Sequence, residues 1–432
     1  MMKLMKFLPF LIFLTSLTGF SQDAELELSL NGALEYALQH NKTLQNAKND
    51  VELSAEQYKE TLGAGLPQVE GTVDYMTYFN EELELDFGMG AAAPILFEDQ
   101  ASANIQVTQL VFSGQYWVGL QLAKLGQSIR ETSLNVTELD VKEQVANLYY
   151  LVLMTEDLLK VVEDNIKNLN EIYVHTSNMY KVGIAEQTDV DQLKINLSQL
   201  ENSRNEMERS LKLNYNMLRF VLGMESEESI LLTDKLSDLV LSSENIAIAA
   251  DSFSIDNNPS YQLILSQEEM GIKQLNMQRW AYAPTVAAYY TYKEKLLTSG
   301  FDLTPKNVAG LTLSIPIFEG GTKKAQLSQK KIELEKIRIN KSMVEEQLAI
   351  QHNQLTFEFK SAYDNYITQK ENIEVAKRVY QSYENKYKQG VVSSLELTQA
   401  NSNYLQAESN YISATMKLLQ SKLALDKLNN KI

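Results

Sequence analysis

Apolar residues recur at alternating steps of three and four along the segment that begins at Val145. The positions in this stripe are Val145, Leu148, Val152, Thr155, Leu159, Val162, Ile166, Leu169, Tyr173, Thr176 and Tyr180. A 3–4 spacing kept over this length is typical of long helices packed as coiled coils, and not of a helix in a small globular domain. The pattern therefore predicts a very long helix over residues 114–182.

The same stripe recurs 207 residues further along the chain, with one polar interruption at Gln369. Its members are Leu355, Phe359, Ala362, Tyr366, Ile373, Ala376, Tyr380, Tyr383 and Tyr387. The turns that follow also match, because YKVGIAEQTDV occupies residues 180–190 and YKQGVVSSLEL occupies residues 387–397. The sequence therefore indicates a tandem duplication.

Each half is predicted as a helix, a β-hairpin, a long helix, the repeated turn and a returning helix. In the first repeat, residues 22–222, these lie at 30–64, 68–112, 114–182, 180–190 and 188–222. In the second repeat, residues 257–432, they lie at 259–283, 285–318, 320–389, 387–397 and 394–429. The segment 223–256 breaks the periodicity and is predicted to be a linker or small collar.

At 1.5 Å per residue the long helices reach about 100 Å. The two shorter helices of each half, stacked end to end, would match one long helix.

The predicted strands alternate apolar and polar residues over about ten positions. One example is Val69, Gly71, Val73 and Tyr75 interleaved with Gln68, Glu70, Thr72 and Asp74. This alternation is typical of strands in a membrane barrel, and an antiparallel sheet with one wet face gives the same pattern. Four strands cannot close a membrane barrel, since the smallest use about eight. A barrel would therefore be shared between copies of the chain. Three copies give twelve strands, and two or four copies remain open.

The composition and the first residues limit the cellular compartment and the classes of function open to the chain. Residues 1–21 carry two lysines and then an apolar core too short to span a membrane, which predicts a secretory signal peptide. The chain has no cysteine and a formal net charge of −17, which argues against nucleic-acid binding and thiol chemistry and weakly favours cations in any lumen. His40, His175 and His352 lie far apart, and no phosphate loop or nucleophile motif is present. We therefore predict no enzyme activity, no metal site and no cofactor.

The chain resembles the TolC-type outer-membrane efflux proteins, the outer membrane factors. The resemblance rests on the duplicated order, the Leu66-Pro67 and Ala283-Pro284 junctions, the strand exits VFSGQ and IPIFEGG, and above all the two repeated turns. It implies a homotrimer with a shared twelve-stranded barrel in the outer membrane and a helical tunnel across the periplasm. It also implies a passive exit duct for efflux or type I secretion, coupled to an inner-membrane transporter through a periplasmic adaptor protein.

The repeated turns are predicted to be the two helical tips at the periplasmic end. Gly183 and Gly390 follow the long helices, where a left-handed residue is favoured. Thr188…Asp191 and Ser393…Glu396 have the spacing of capping boxes for the returning helices. The resemblance implies that the adaptor grips the tips through six residues, namely Tyr180, Lys181, Gly183, Tyr387, Lys388 and Gly390.

The resemblance also implies a gate near these tips. By motif position, Tyr387 and Asp189 match a linking pair and Glu396 matches an acid that lines the constriction. The pattern fails at Val392, where a gate arginine would stand, and at Gln399, where a second acid would stand. The salt-bridge network is therefore predicted to be thinner, and the latch easier to open.

A second class of function stays open at the level of sequence. A secreted or periplasmic coiled-coil protein of structural or adaptor type would also have long helices, with the hairpins as small soluble sheets. The exported substrate and the class of pump are not encoded in any motif. The loop of residues 80–100 is long enough to fold over a channel mouth, whereas that of residues 298–306 is short.

Overall fold

The computed structural model describes residues 26–79, 82–85, 93–96, 98–225, 229–244, 253–297 and 304–432. Residues 82–85, 93–96 and 241–244 are described at the level of the backbone. The predicted signal peptide of residues 1–21, much of the loop 80–100 and residues 298–303 lie outside the described residues.

The described chain is mainly helical. Its helices are α1 Leu30–His40, α2 Lys42–Gly63, α3 Gly114–Lys181, α4 Gln187–Leu222, α5 Leu236–Glu244, α6 Pro259–Trp280, α7 Thr322–Lys388 and α8 Ser394–Leu428. The long helices α3 and α7 have 68 and 67 residues, which corresponds to about 100 Å each. None of the helices in the described residues has a stretch apolar and long enough to cross a membrane.

The helix predicted over residues 30–64 is two helices, because the chain breaks at Asn41. Asn41 has an extended backbone (φ −61°, ψ 126°), and its side-chain oxygen accepts hydrogen bonds from the Thr43 and Leu44 amides at the start of α2. Asparagine competes well for such capping positions, which interrupts the helix. The Asn41 side-chain amide also donates to the Val221 carbonyl at the end of α4, at 2.6 Å.

The second repeat has an equivalent joint at Asn258. Its side chain caps the start of α6 and donates to the Leu428 carbonyl at the end of α8, at 3.0 Å. In the first joint Gly223 ends α4 in the left-handed region at φ +83°, where a Cβ would lie 2.2 Å from the His40 carbonyl oxygen. The short helices therefore meet end to end, α4 with α2 and α8 with α6, as the helix lengths predict.

The helices pack side by side around α3. It contacts α2 and α4 as well as α6 and α8, whereas α7 packs on α6 and α8. The main core lies where the short helices meet. There the side chain of Tyr149 is fully buried, and its hydroxyl bonds the Leu28 carbonyl and an Asp234 carboxylate oxygen at 3.0 and 2.9 Å. Strands β1 (Leu26–Leu28) and β6 (Ile230–Leu232) pair in parallel beside it, so the segment 223–256 contributes short elements at this level.

Four antiparallel strands form one sheet in the order β2 (Gln68–Met76), β5 (Gln100–Phe112), β7 (Thr285–Leu297) and β8 (Asn307–Ser314). Strand β8 ends before residue 318, the predicted limit, because Pro316 lacks an amide for the ladder. Strand β2 ends at Met76, before the predicted loop of residues 80–100 begins. The loop that follows it contains a further hairpin, β3 (Glu82–Leu85) with β4 (Ala93–Leu96), which the sequence analysis did not predict.

Candidate functional site at the helical tips and the sheet

Both tips end their long helix in the same way. At the first, the Gly183 amide donates to the Tyr180 carbonyl and the Ile184 amide to the Met179 carbonyl, both at 2.9 Å. At the second, the Gly390 and Val391 amides donate to the carbonyls of Tyr387 and Lys386 at the same distances. These pairs define a Schellman motif, with the glycines in the left-handed region at φ +78° and +71°.

The capping box predicted at Thr188…Asp191 is wrong by position. Helix α4 begins at Gln187, so the capping residue is Glu186, whose backbone is extended (φ −85°, ψ 155°). The Asp189 carboxylate accepts from the Glu186 amide at 3.4 Å, while the Thr188 hydroxyl donates to the Glu186 carboxylate. Glu186 and Asp189 lie 207 residues before Ser393 and Glu396, so the repeat register itself contained the signal.

The second capping box is the one predicted. The Ser393 amide and hydroxyl donate to a Glu396 carboxylate oxygen at 2.8 and 2.9 Å. The Ser393 hydroxyl oxygen in turn accepts from the Glu396 amide at 3.3 Å. These bonds favour the charged carboxylate and lower the pKa of Glu396 below its ordinary value, the backbone bond being the larger cause. The Glu396 carboxylate, which the resemblance assigns to a constriction, therefore bonds Ser393 at the start of α8.

Two side-chain hydrogen bonds join the hairpins of one chain near the tips, and the His175 ring meets the Tyr387 ring edge to face there. The Ser394 hydroxyl donates to the Asp189 carboxylate, and the Tyr387 hydroxyl bonds the Thr176 hydroxyl. Thr176 is fully buried and donates its own proton to the Ile172 carbonyl, so Tyr387 is the donor in that bond. An apolar cluster of Leu169, Ile172, Leu193, Tyr380 and Leu397 lies directly above these contacts.

Tyr387 and Asp189 therefore each bond across the two hairpins, but to different partners and not to one another. Gln399 is exposed and bonds Asn403 on its own helix at 3.0 Å. Val392, at the position of the missing arginine, is half-buried. Within one chain, the structure brings together Asp189, Tyr387 and their serine and threonine partners, and leaves Gln399 apart.

The tips also expose apolar side chains outside the predicted contact residues. Val182, Ile184, Val391 and Leu395 are 70%, 70%, 67% and 68% exposed. Val182, Ile184 and Val391 flank the two glycines, and Leu395 lies in the first turn of α8. All four are apolar residues that fall outside the heptad stripe. Of the predicted contact residues, Tyr180 and Lys181 are exposed, while Lys388 pairs with Glu384 at 2.7 Å.

Further from the tips, polar side chains bond inside the helical layer. Asn165 and Asn401 exchange hydrogen bonds between α3 and α8 at 3.0 and 3.1 Å, and both are buried. Asn214 donates to Thr155 between α4 and α3 at 3.0 Å. Buried polar pairs of this kind fix the register of packed helices. Among the described residues, no group of three potential metal ligands converges.

The sheet separates apolar from polar residues by face. One rung places Val69, Val107, Tyr290 and Ala309 side by side, and the next places Gln68, Thr108, Tyr289 and Gly310 side by side. Large apolar side chains on the first face are exposed, including Val69, Val73, Ile105 and Leu311. The outer edges of β2 and β8 have no strand partner among the described residues.

Comparison with known proteins places these features in a family. The model of the outer membrane efflux protein family matches residues 33–224 and 255–431. Outer membrane protein TolC of Salmonella enteritidis is 23% identical over 392 residues, covering 88% of this chain and 73% of that protein. The Campylobacter jejuni CmeC outer membrane channel shares the fold with a TM-score of 0.74 at 16% identity, covering 93% of this chain and 85% of that one. The outer membrane protein VceC of Vibrio cholerae gives 0.72 at 16% identity, covering 93% and 96%. The chain therefore belongs to the outer membrane efflux protein family, and is an outer-membrane protein with most of its length in the periplasm.

Proposed function

We propose that three copies of this chain form a passive exit channel through the outer membrane and the periplasm. The four strands of each copy would contribute to one twelve-stranded barrel, and the helices would form a tunnel. The channel would act in a tripartite efflux or type I secretion system, coupled to an inner-membrane pump through a periplasmic adaptor. Transport by this route requires no bond chemistry in the chain itself.

The observation that carries this proposal is the open sheet with one exposed apolar face. A lone four-stranded sheet in lipid would leave the edges of β2 and β8 unpaired, at several kcal/mol per backbone group. Pairing β8 of one copy with β2 of the next satisfies both edges and closes the barrel. The apolar rungs then face lipid, and the rungs that contain Gln68, Thr72 and Asn104 face the lumen.

The tips support the proposed coupling to a periplasmic adaptor. They combine exposed apolar residues with two hydrogen-bonded turns, which is a surface suited to the packing of another helical hairpin. We assign adaptor contact to Tyr180, Lys181, Gly183, Tyr387, Lys388 and Gly390 together with the exposed Val182, Ile184, Val391 and Leu395. We assign the resting gate to Asp189, Tyr387, Glu396 and Gln399, with Asp189 and Tyr387 holding the two hairpins together.

Single-channel conductance of the detergent-extracted protein in a planar bilayer tests the proposal. We expect small, mostly closed currents from the wild type and larger currents from Asp189→Ala. Lys360→Ala, an exposed change far from the tips, serves as the control. Large currents from all three proteins would support the channel and contradict a gate at the tips. No current from any of them would contradict the channel.

A further inference from the structure

The start of each long helix adjoins the sheet, and the duplication makes the two starts equivalent. Gly114, Tyr116 and Trp117 of α3 lie 207 residues before Gly321, Lys323 and Lys324 at the start of α7. One repeat therefore places two aromatic residues where the other places two lysines. Aromatic residues and lysines are the side chains that anchor proteins at the boundary between lipid and water.

The aromatic residues form a connected layer beneath the sheet. Trp280 at the end of α6 lies against Gly114 and meets Phe112 edge to face, with ring centroids 6.5 Å apart. The Tyr116 hydroxyl donates to the Leu62 carbonyl at the end of α2, at 3.2 Å. Trp117 and Trp280 remain 55% and 45% exposed. They are the two tryptophans of the whole chain, and both lie where the apolar sheet face ends.

The basic side chains belong to the same layer. The Lys323 ammonium donates to the Ala281 carbonyl at 2.7 Å and lies 5.9 Å from the centre of the Tyr282 ring, so α7 begins level with the end of α6. Residues 319–331 contain four lysines and one glutamate, in a chain whose net charge is −17. Glu319 pairs with Lys323, and Glu333 pairs with Lys330.

Lys324 and Lys331 form no ion pair among the described side chains, although Glu335 follows Lys331 by one turn. Both are exposed, and they lie seven residues apart on one face of α7, a rise of about 10 Å. Arg279, also exposed, lies in the last turn of α6, the end of which adjoins the start of α7. We name Arg279, Lys324 and Lys331 the basic collar, and leave out Lys323 because Glu319 neutralises it. Its position just past the aromatic layer puts it at the depth of lipid headgroups when the sheet lies in a membrane.

We propose that the basic collar binds anionic phospholipid headgroups of the periplasmic leaflet, with Trp117 and Trp280 inserted at the same boundary. This inference rests on the proposed function, because it requires the sheet to lie in the outer membrane. The partner is the phosphate of a lipid with net negative charge. A basic segment next to a membrane gains about fivefold in affinity for anionic lipid per lysine, within a Debye length of the surface.

The two tryptophans make the test direct. The full-length protein is reconstituted in phosphatidylcholine bilayers that contain an equal fraction of brominated lipid, either phosphatidylglycerol or phosphatidylcholine. Bromine quenches tryptophan fluorescence on contact, and the variants Trp117→Phe and Trp280→Phe assign the signal to one position each. We expect stronger quenching by the brominated anionic lipid, and loss of this preference in 0.5 M salt, where the Debye length is only a few ångströms.

Substitution of the lysines then distinguishes binding of anionic lipid from insertion of the sheet into any bilayer. Lys324→Gln with Lys331→Gln should lower the preference for anionic lipid by about 5- to 25-fold, which is about fivefold for each lysine at the surface, with quenching by the neutral lipid unchanged. The matched control is Lys212→Gln with Lys360→Gln, which removes the same charge from exposed positions about 50 Å further from the sheet. Equal quenching by the two brominated lipids in the wild type would overturn the basic collar while leaving the channel intact. No quenching by either lipid would contradict the membrane position of the sheet, and with it the proposed function.

Discussion

The two helical tips have the same local structure and different tertiary contacts. Each has a Schellman motif at a left-handed glycine and a carboxylate that caps the returning helix. Asp189 at the first tip also bonds Ser394 of the second, whereas the hydrogen bonds of the Glu396 side chain at the second tip, among the described residues, go to Ser393. Tyr387 reaches Thr176 across the hairpins, whereas the equivalent Tyr180 is exposed. Duplication therefore preserved the turns, and the contacts between the hairpins made the two copies inequivalent.

The largest effect is expected from substitution of the left-handed glycine, which both tips share. Gly183→Ala and Gly390→Ala each place a Cβ in the left-handed region, which costs about 1–2 kcal/mol. We expect amide hydrogen exchange around the substituted tip to be roughly 5- to 30-fold faster, by a similar factor in both variants. Gly119→Ala, inside α3 where a Cβ meets nothing within 4 Å, should leave the tips unchanged and stabilise α3. A large effect at one tip alone would contradict their local equivalence.

The next effect tests the difference between the two acids. Asp189→Ala removes a helix cap and the bond to Ser394, with an expected cost of about 1–2 kcal/mol. Exchange should therefore become faster at both tips, and channel conductance should increase. Glu396→Ala removes a cap alone and should affect the second tip only. Equal behaviour of the two variants would show that the Ser394 contact does not couple the hairpins.

A smaller effect is expected from the two tyrosines. Tyr387→Phe keeps the ring in the apolar cluster and removes the hydroxyl that donates to Thr176, at about 0.5–1 kcal/mol. Thr176 still donates to the Ile172 carbonyl, which limits the cost. Tyr180→Phe is the matched control at the equivalent position and should have no measurable effect on exchange or conductance. If neither tyrosine variant differs from the wild type, Tyr387 is not part of the latch.

The smallest effect concerns pH. The pKa of Glu396 is lowered in the folded tip, so its contribution to stability is complete above the unfolded pKa of about 4.3 and is lost as the pH falls through the folded value. Since the chain has no cysteine, Leu395→Cys gives a single labelling site beside Glu396. Anisotropy of a fluorophore there should fall as the pH is lowered below the unfolded pKa of about 4.3. The added change Glu396→Gln should remove this transition, and its persistence would assign the transition to another group.

Much of the site was accessible from the sequence because it follows local rules. The left-handed glycines and the Ser393…Glu396 box depend on neighbouring backbone groups, and the structure has both where the sequence predicts them. The sequence predicts the first box at Thr188 and not at Glu186, because threonine is a common capping residue and glutamate an uncommon one. The break at Asn41 was missed for a related reason. An asparagine within a helical pattern is tolerated, and the buried Val221 carbonyl that holds it lies 180 residues away.

The sequence by itself determined the duplication, the long helices, the alternating strands and the repeated turns, since each depends on periodicity or on contacts within a few residues. Only the tertiary structure decided which copy of a repeated residue bonds across the two hairpins. It joined Asp189 to Ser394 and Tyr387 to Thr176, ended α4 against His40, and brought Trp280 over Gly114. These contacts link residues far apart in the chain, and equivalent sequences in the two halves have different neighbours in the packed layer. A local pattern can specify a turn, but only packing specifies its partner.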